Sequence, residues 1–290
     1  MWMLLKLLRF HQYIKNSFVL IGVIFSGVGS SALLLDVFAV FLSFCLAASS
    51  VYIMNDIFDI ESDKAHPTKS LRPIPSEQVS IRSAWLLFAG LLIVSLAIVL
   101  LYAPLAAIFI VSYVLLNIAY TLRLKKIAVL DVFIISSGFM LRILAGTVGV
   151  GIPPSSWLLL CGLMLTLFLG FCKRRAELLM LENETGEEKP LTREVLGNYS
   201  PIVIEQFMSI SAAATILSYS LYTMSDETIA RHQTDGLIYT VPFVVYGIFR
   251  YILLLHKRGK GTDTAKDLYT DSHLLITVFA WLLVTGFFVA

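Results

Sequence analysis

Nine stretches of roughly 20 mainly apolar residues follow one another along the 290-residue chain, near 17–35, 37–56, 83–101, 104–122, 131–149, 155–172, 201–223, 237–255 and 273–290. A hydrocarbon core about 30 Å thick takes about 20 residues of helix to cross, and a backbone inside it must satisfy its own hydrogen bonds. The pattern therefore predicts an all-α fold: a polytopic membrane helical bundle of about nine transmembrane helices. Composition agrees, with 58% hydrophobic and 14% charged residues, a balance foreign to an ordinary water-soluble domain. No hydrophilic domain, linker or short repeat interrupts the runs, so 1–290 reads as a single integral-membrane domain. Cys45, Cys161 and Cys172 all fall inside apolar runs, without the spacing of a metal or redox motif, and read as small buried hydrophobes.

The distribution of charge says more than its net value of +2. Of 22 Lys and Arg, 19 precede the first span or lie in the loops after spans two, four, six and eight. Arg231 is the single basic residue in the other loops, while Arg142 and Arg250 fall within spans. By the positive-inside rule the N-terminus and the even loops are cytoplasmic and the C-terminus is outside. The odd loops are short, with helix breakers at 103–104 and 151–154. Chemistry is expected on the face of the long charged loops: 57–82, 123–130, 173–200 and 257–272. Membrane lipids are the expected surroundings; the charge pattern suggests no nucleic acid, and a homo-oligomer is left open.

The second span runs into Asn55-Asp56-Ile57-Phe58-Asp59-Ile60-Glu61-Ser62-Asp63. On a continuous helix Asn55, Asp59 and Asp63 share one face at i, i+4, i+8. Stacked carboxylates repel unless a cation lies between them, and a few hard oxygen ligands with room for water and phosphate suit Mg²⁺. Asn55, Asp56, Asp59 and Asp63 are the expected metal ligands. A merely solvated acidic helix end is the bland alternative, weakened because carboxylates beside hydrocarbon are costly. Next come Lys64, His66, Lys69 and Arg72, with Pro67 expected to stop the helix and turn the cations back over the acids. A metal site beside a cation cluster is what a diphosphate requires. The competing explanation is an anchor for lipid headgroups.

The third loop opens Lys173-Arg174-Arg175-Ala176-Glu177, with Glu182 and Glu184 downstream. If it faces the acidic row, Glu177 adds a metal-binding carboxylate and Lys173 and Arg174 add phosphate ligands; alternatively Lys173 and Glu177 form an ordinary i, i+4 pair. Asn117, Tyr120 and Lys125 close the fourth span, and Tyr120 and Lys125 are further substrate-binding candidates. Asp131, at the start of the fifth span, could simply favour the helix N-terminus. Arg142, about three turns into that span, needs a buried partner or a phosphate.

The string Asn55-Asp56-x-x-Asp59-x-x-x-Asp63 followed by Arg72-Pro73-Ile74 resembles the first aspartate-rich motif of the UbiA superfamily of intramembrane prenyltransferases. Within it, Asp63-x-x-His66-Pro67-x-Lys69-x-x-Arg72-Pro73-Ile74 and Lys173-Arg174-x-Ala176-Glu177-Leu178 are most similar to the branch containing decaprenyl-phosphate phosphoribosyltransferase, as is Leu124-Lys125-x5-Asp131 with the Ser136–Phe139 stretch. Two departures stand out: Arg175 replaces an aromatic residue, and Ser76-Glu77 stands where many members place a Gly. The resemblance implies a Mg²⁺-dependent transfer of 5-phosphoribose from 5-phosphoribosyl 1-diphosphate to a long-chain polyprenyl phosphate. Asp59 and Asp63 would then act catalytically through the metal, with His66, Lys69, Arg72, Tyr120, Lys125, Arg142, Lys173 and Arg174 as substrate ligands. Transfer of a prenyl group from prenyl diphosphate to an aromatic acceptor is the alternative, and a transporter or channel a more distant one.

Overall fold

Where apolar runs meet short polar stretches, the chain caps and starts helices. The computed structural model describes residues 2–25, 30–65, 69–183, 194–258, 261, 267 and 270–289. In chain order these form α1 (Trp2–Leu7), a 3₁₀ stretch Phe10–Leu20, α2 (Ile21–Ile24), α3 (Ser31–Phe58), α4 (Ile60–Lys64), α5 (Ile81–Tyr102), α6 (Ala106–Leu122), α7 (Leu130–Ala145), α8 (Ser156–Asn183), α9 (Pro201–Met224), α10 (Asp226–His232), α11 (Val241–Arg258) and α12 (Ser272–Val289). Among the described residues, regular structure is helical throughout.

Among the described residues, seven helical stretches are long and apolar enough to cross a membrane, and an eighth, Ala106–Leu122, is apolar with 17 residues. Their outward faces carry Leu86, Leu101 and Phe287, each at least 75% exposed. Such surfaces are stable in hydrocarbon and not in water. The chain is an integral membrane protein.

The first of the nine expected spans differs from its expectation. The run 17–35 is not one long helix: it holds the end of the 3₁₀ stretch and α2, and its last residues already belong to α3. Ser30 is the reason for the restart. Its backbone is extended and its hydroxyl accepts the Leu33 N–H at 3.3 Å, capping α3. Glycine lets the short segment pack closely: a Cβ on Gly146 would lie 1.8 Å from the Val19 carbonyl oxygen, and one on Gly22 would lie 2.5 Å from that of Gly146.

Backbone packing divides the chain into two compact units, one of Met1–Val23, Gly29–Lys125 and Leu141–Pro153, the other of Ile24–Val28, Lys126–Met140 and Pro154–Ala290. In the first, α3 packs along α5 and α6 through small and branched residues, including Val40, Ala47, Ala48 and Val51 with Val99 and Ile110. A smaller cluster, Leu7, Ile53, Ile74, Val79 and Ala84, lies under the first loop and anchors it through Ile74 and Val79. In the second unit, α8 and α9 form the tightest pair, around Phe168, Phe171, Cys172, Ile204 and Met208. All three cysteines are buried and free.

Candidate active site

The acidic string straddles a helix break. α3 ends at Phe58, Asp59 leaves helical geometry (φ −98°, ψ 11°), and α4 starts at Ile60. The helical pitch nevertheless carries across it, the Asp59 N–H bonding the Asn55 carbonyl at 2.9 Å and the Asp63 N–H the Asp59 carbonyl at 2.8 Å. Asn55, Asp59 and Asp63 therefore keep their i, i+4, i+8 spacing, and Asp56 and Asp63, about two turns apart, share a face as well. Asp56 and Asp63 come together at Arg72. Both are buried, each 3% exposed, and one nitrogen, Arg72 Nη1, donates to Asp56 Oδ1 at 3.0 Å and to Asp63 Oδ2 at 2.6 Å. Lys69 Nζ stands 3.9 Å from the other Asp63 oxygen. Asp59, more open, takes Lys125 Nζ at 2.6 Å. The Asn55 side-chain oxygen meets the Thr121 hydroxyl, which also contacts the Asn117 carbonyl at 2.8 Å.

The loop is shaped to deliver Arg72. A 3₁₀ turn over Lys69–Leu71 precedes it, the Ser76 hydroxyl donates back to the Arg72 carbonyl at 2.6 Å, and the Glu77 N–H closes on Ile74 at 3.0 Å. Glu77 adopts φ 61°, the left-handed conformation glycine takes freely. Its carboxylate holds Lys64 at 3.2 Å. His66 lies outside the described residues.

Sequence reasoning missed Arg9. Its Nη2 donates to Asp56 Oδ1 at 2.5 Å, so that oxygen is shared by two guanidinium groups. Burial pushes the Asp63 carboxyl above its ordinary range, with Arg72 and Lys69 opposing the shift. Three carboxylates and an amide are thus interleaved with Arg9, Lys69, Arg72 and Lys125. Among the described residues no three acidic, His or Cys side chains gather closely enough to hold a metal alone. The donor set nevertheless fits a hard divalent cation: Asp56 and Asp63 already converge on one positive nitrogen, and Mg²⁺ customarily completes its shell with water and phosphate.

The second unit holds a different cluster. Arg174, fully buried, lies 2.7 Å from Asp131 Oδ2, itself fully buried, and bonds Glu177 through Nη1. The Tyr199 hydroxyl donates to Asp131 Oδ1 at 2.7 Å and accepts the Val129 N–H at 2.6 Å; burial, then the Asp131 bond, raise its pKa, so the phenol keeps its proton. Arg174 is thus enclosed within the protein, its guanidinium ion-paired with two carboxylates. Asp131 does more than favour a helix start. Lys173 is half-buried on α8. Arg175, the departure from the aromatic, has its own carboxylates: Nε to Glu205 at 2.8 Å and Nη1 to Glu182 at 3.2 Å.

Arg142 is buried in the first unit. Nε donates to Asn16 at 2.7 Å and Nη2 to the Tyr113 hydroxyl at 3.1 Å, and the guanidinium lies over the Tyr113 and Phe44 rings at 4.5 and 5.6 Å. At 4% exposure it ties these residues together within the bundle. Tyr120 is half-buried on the last turn of α6.

Residues 16–283 match the UbiA prenyltransferase family. The chain belongs to that family. It is 34% identical over 296 residues to the decaprenyl-phosphate phosphoribosyltransferase of Mycolicibacterium smegmatis, covering 98% of this chain and 91% of that one. The protein of the same description from Corynebacterium glutamicum is 32% identical over 288 residues, covering 96% and 84%. Among solved structures, a UbiA homologue from Archaeoglobus fulgidus bound to DMAPP and Mg²⁺ superposes with a TM-score of 0.73 over 99% of this chain and 98% of that one, at 17% identity. That likeness establishes the fold.

Proposed function

We propose that this protein transfers 5-phosphoribose from 5-phosphoribosyl 1-diphosphate to a long-chain polyprenyl phosphate, releasing diphosphate. The observation that carries the reading is the interleaving of Asp56, Asp59 and Asp63 with Lys69, Arg72 and Lys125. Carboxylates and cations alternate there, so the cluster can accept a cation and an anion together, as a metal diphosphate requires. The family relatives described as decaprenyl-phosphate phosphoribosyltransferases support the choice of donor and acceptor.

A divalent cation, Mg²⁺ by preference, would be held by Asn55, Asp56, Asp59 and Asp63 and would supply charge neutralisation for the leaving diphosphate. Arg72, Lys69 and Lys125, once exchanged from their carboxylates, bind phosphate oxygens; Arg72 fixes orientation with two parallel donors and the lysines act as point charges. The ribose C1–O bond to diphosphate breaks, its electron pair leaving with the diphosphate, and an acceptor phosphate oxygen forms the new bond to C1. That oxygen is already anionic, so no strong general base is required. Lys173 is kept as a ligand for donor phosphate and Glu177 as a further carboxylate on the resemblance of their motif, with Arg174 and Asp131 holding Glu177 in place. His66 and Tyr120 are weaker substrate ligands. The acceptor's hydrocarbon tail stays among the apolar helix faces.

The test is to incubate purified protein and Mg²⁺ with each donor and acceptor pair and identify the lipid product by mass. A polyprenyl-phosphoryl-phosphoribose is expected; a prenylated aromatic acid, with no phosphoribosyl transfer, would overturn the reading. We further propose that the N-terminus and the site face the cytoplasm, with the C-terminus outside. Thiol labelling of cysteines placed at Ser225 and Thr185 checks this: reaction of the first only from the cytoplasm, or of the second only from outside, refutes it.

A further inference from the structure

The N-terminal segment reaches the acidic cluster, although its sequence carries no site motif. α3 presents Ser49, Tyr52, Ile53 and Asp56 along one stripe, at the i, i+3, i+4, i+7 spacing of a single helix face. The segment ahead of it is fastened to every one of them. The Ser49 hydroxyl donates to the Leu8 carbonyl at 2.8 Å and meets the Tyr13 hydroxyl at 2.9 Å. Leu7, buried, shares an apolar cluster with Ile53. The Arg9 guanidinium lies 5.1 Å over the Tyr52 ring and bonds Asp56 at 2.5 Å. Arg9 itself holds a left-handed backbone, φ 51° and ψ 50°, unfavourable for a residue with a Cβ; the four attachments hold it there.

The shared oxygen is what gives this strap chemical meaning. Arg9 and Arg72 both donate to Asp56 Oδ1, at 2.5 and 3.0 Å, so two guanidinium groups converge on one atom. Arg72 has Asp63 as a second carboxylate. Two planar forks side by side match the spread oxygens of a phosphate better than a single carboxylate oxygen.

We propose that Arg9 is a donor-phosphate ligand carried by the N-terminal strap, which exchanges Asp56 for a phosphate oxygen when Asp56 turns to the divalent cation. The inference rests on the proposed function only in requiring a phosphate-bearing donor held with a cation. Full-length Arg9→Ala and Arg9→Lys proteins are compared with wild type in three measurements: calorimetric binding of 5-phosphoribosyl 1-diphosphate with Mg²⁺, the same with inorganic diphosphate, and Mn²⁺ binding by paramagnetic resonance without phosphate. Arg9→Ala should weaken both phosphate ligands about tenfold or more, as loss of a charge-assisted bond does, and Arg9→Lys should restore part of it. Mn²⁺ binding should hold or tighten, because Asp56 loses a competing cation. Unchanged phosphate affinity, or Mn²⁺ affinity lost in step with it, would overturn the proposal, the latter marking a structural prop for Asp56. If Arg9→Ala does not fold, Arg9→Lys decides, and it must weaken diphosphate binding severalfold at constant Mn²⁺ affinity. Wild type that binds diphosphate but no phosphoribosyl donor refutes the donor assignment while Arg9 is still judged on diphosphate; wild type that binds neither overturns both.

Discussion

Asp131 with Arg174 in the second unit, and Asp56, Asp59 and Asp63 with Arg72, Lys69 and Lys125 in the first, are built from the same residue types and serve opposite ends. The Asp131 and Arg174 side chains are 0% exposed, and both oxygens of Asp131 are engaged, one by Arg174 and one by Tyr199. In the first unit Asp56 and Asp63 are covered, but the cations and Asp59 are reached by solvent: Arg72 is 33% exposed, Lys125 28% and Asp59 35%. Water access sets the difference. A dry pair leaves an uncompensated charge when it breaks, whereas a pair reached by solvent is worth little by itself and is easily exchanged. A binding site needs the second kind, and a scaffold tolerates the first.

Substitutions that act on only one side of this contrast test it best. The largest effect is expected from Arg174→Ala, which strands Asp131 and Glu177 and should cost about 3–5 kcal/mol of stability, read as a large drop in the thermal midpoint of detergent-purified protein. A midpoint within error of wild type would show that the second cluster is no more rigid than the first. Asp63→Asn comes next. It should leave the fold standing and lower turnover on the order of a hundredfold at saturating Mg²⁺, and chelation of divalent cations should remove the activity of wild type altogether. Near-normal turnover of the variant would separate Asp63 from the metal. Arg72→Ala should raise the donor KM about tenfold with a smaller change for the lipid acceptor, whose hydrocarbon supplies much of its affinity, and Arg72→Lys should recover only part. Saturation kinetics with each substrate varied in turn resolve the two. The smallest effect belongs to the loop that carries Arg72: Glu77→Gly relieves a left-handed backbone but loosens the unfolded chain, so stability should move by no more than about 0.5 kcal/mol. A loss of several kcal/mol would mean that the exposed Lys64 pair does more than its position allows.

The helices were legible because hydrocarbon leaves the chain little choice, and the Ser30 and Ser80 caps fall where polar residues precede apolar runs. Legibility failed at single-residue events. The departure at Asp59 is not marked by Pro or Gly, and the helical bonds on either side of it keep the spacing of a continuous helix; what that spacing does not announce is that Arg72, brought back by the loop, joins Asp56 to Asp63. Arg9 was counted only among the cations of the cytoplasmic side, because its contact with Asp56 spans 47 residues and depends on a backbone conformation that no local pattern announces. Lys69 and Arg72 do fold back over the acids; Pro67, expected to turn them, lies outside the described residues. Arg142 was recognisable as a residue in need of partners; that these are an amide and two aromatic rings could not be read from a run of apolar letters. Arg175, out of pattern as a motif residue, makes sense once Glu182 and Glu205 are placed beside it.

The tie between Arg142 and Asn16 reaches across 126 residues, and this has a bearing on how the chain enters the bilayer. A ribosome delivers Asn16 long before Arg142, and an arginine inside a membrane-spanning helix resists insertion, by up to about 2.5–3.5 kcal/mol at the helix centre on the translocon scale. The amide, the Tyr113 hydroxyl and the Phe44 and Tyr113 rings are all in place upstream when that arginine emerges. The early helices thus form a prepared berth for a later one, and integration of α7 should depend on what was synthesised before it.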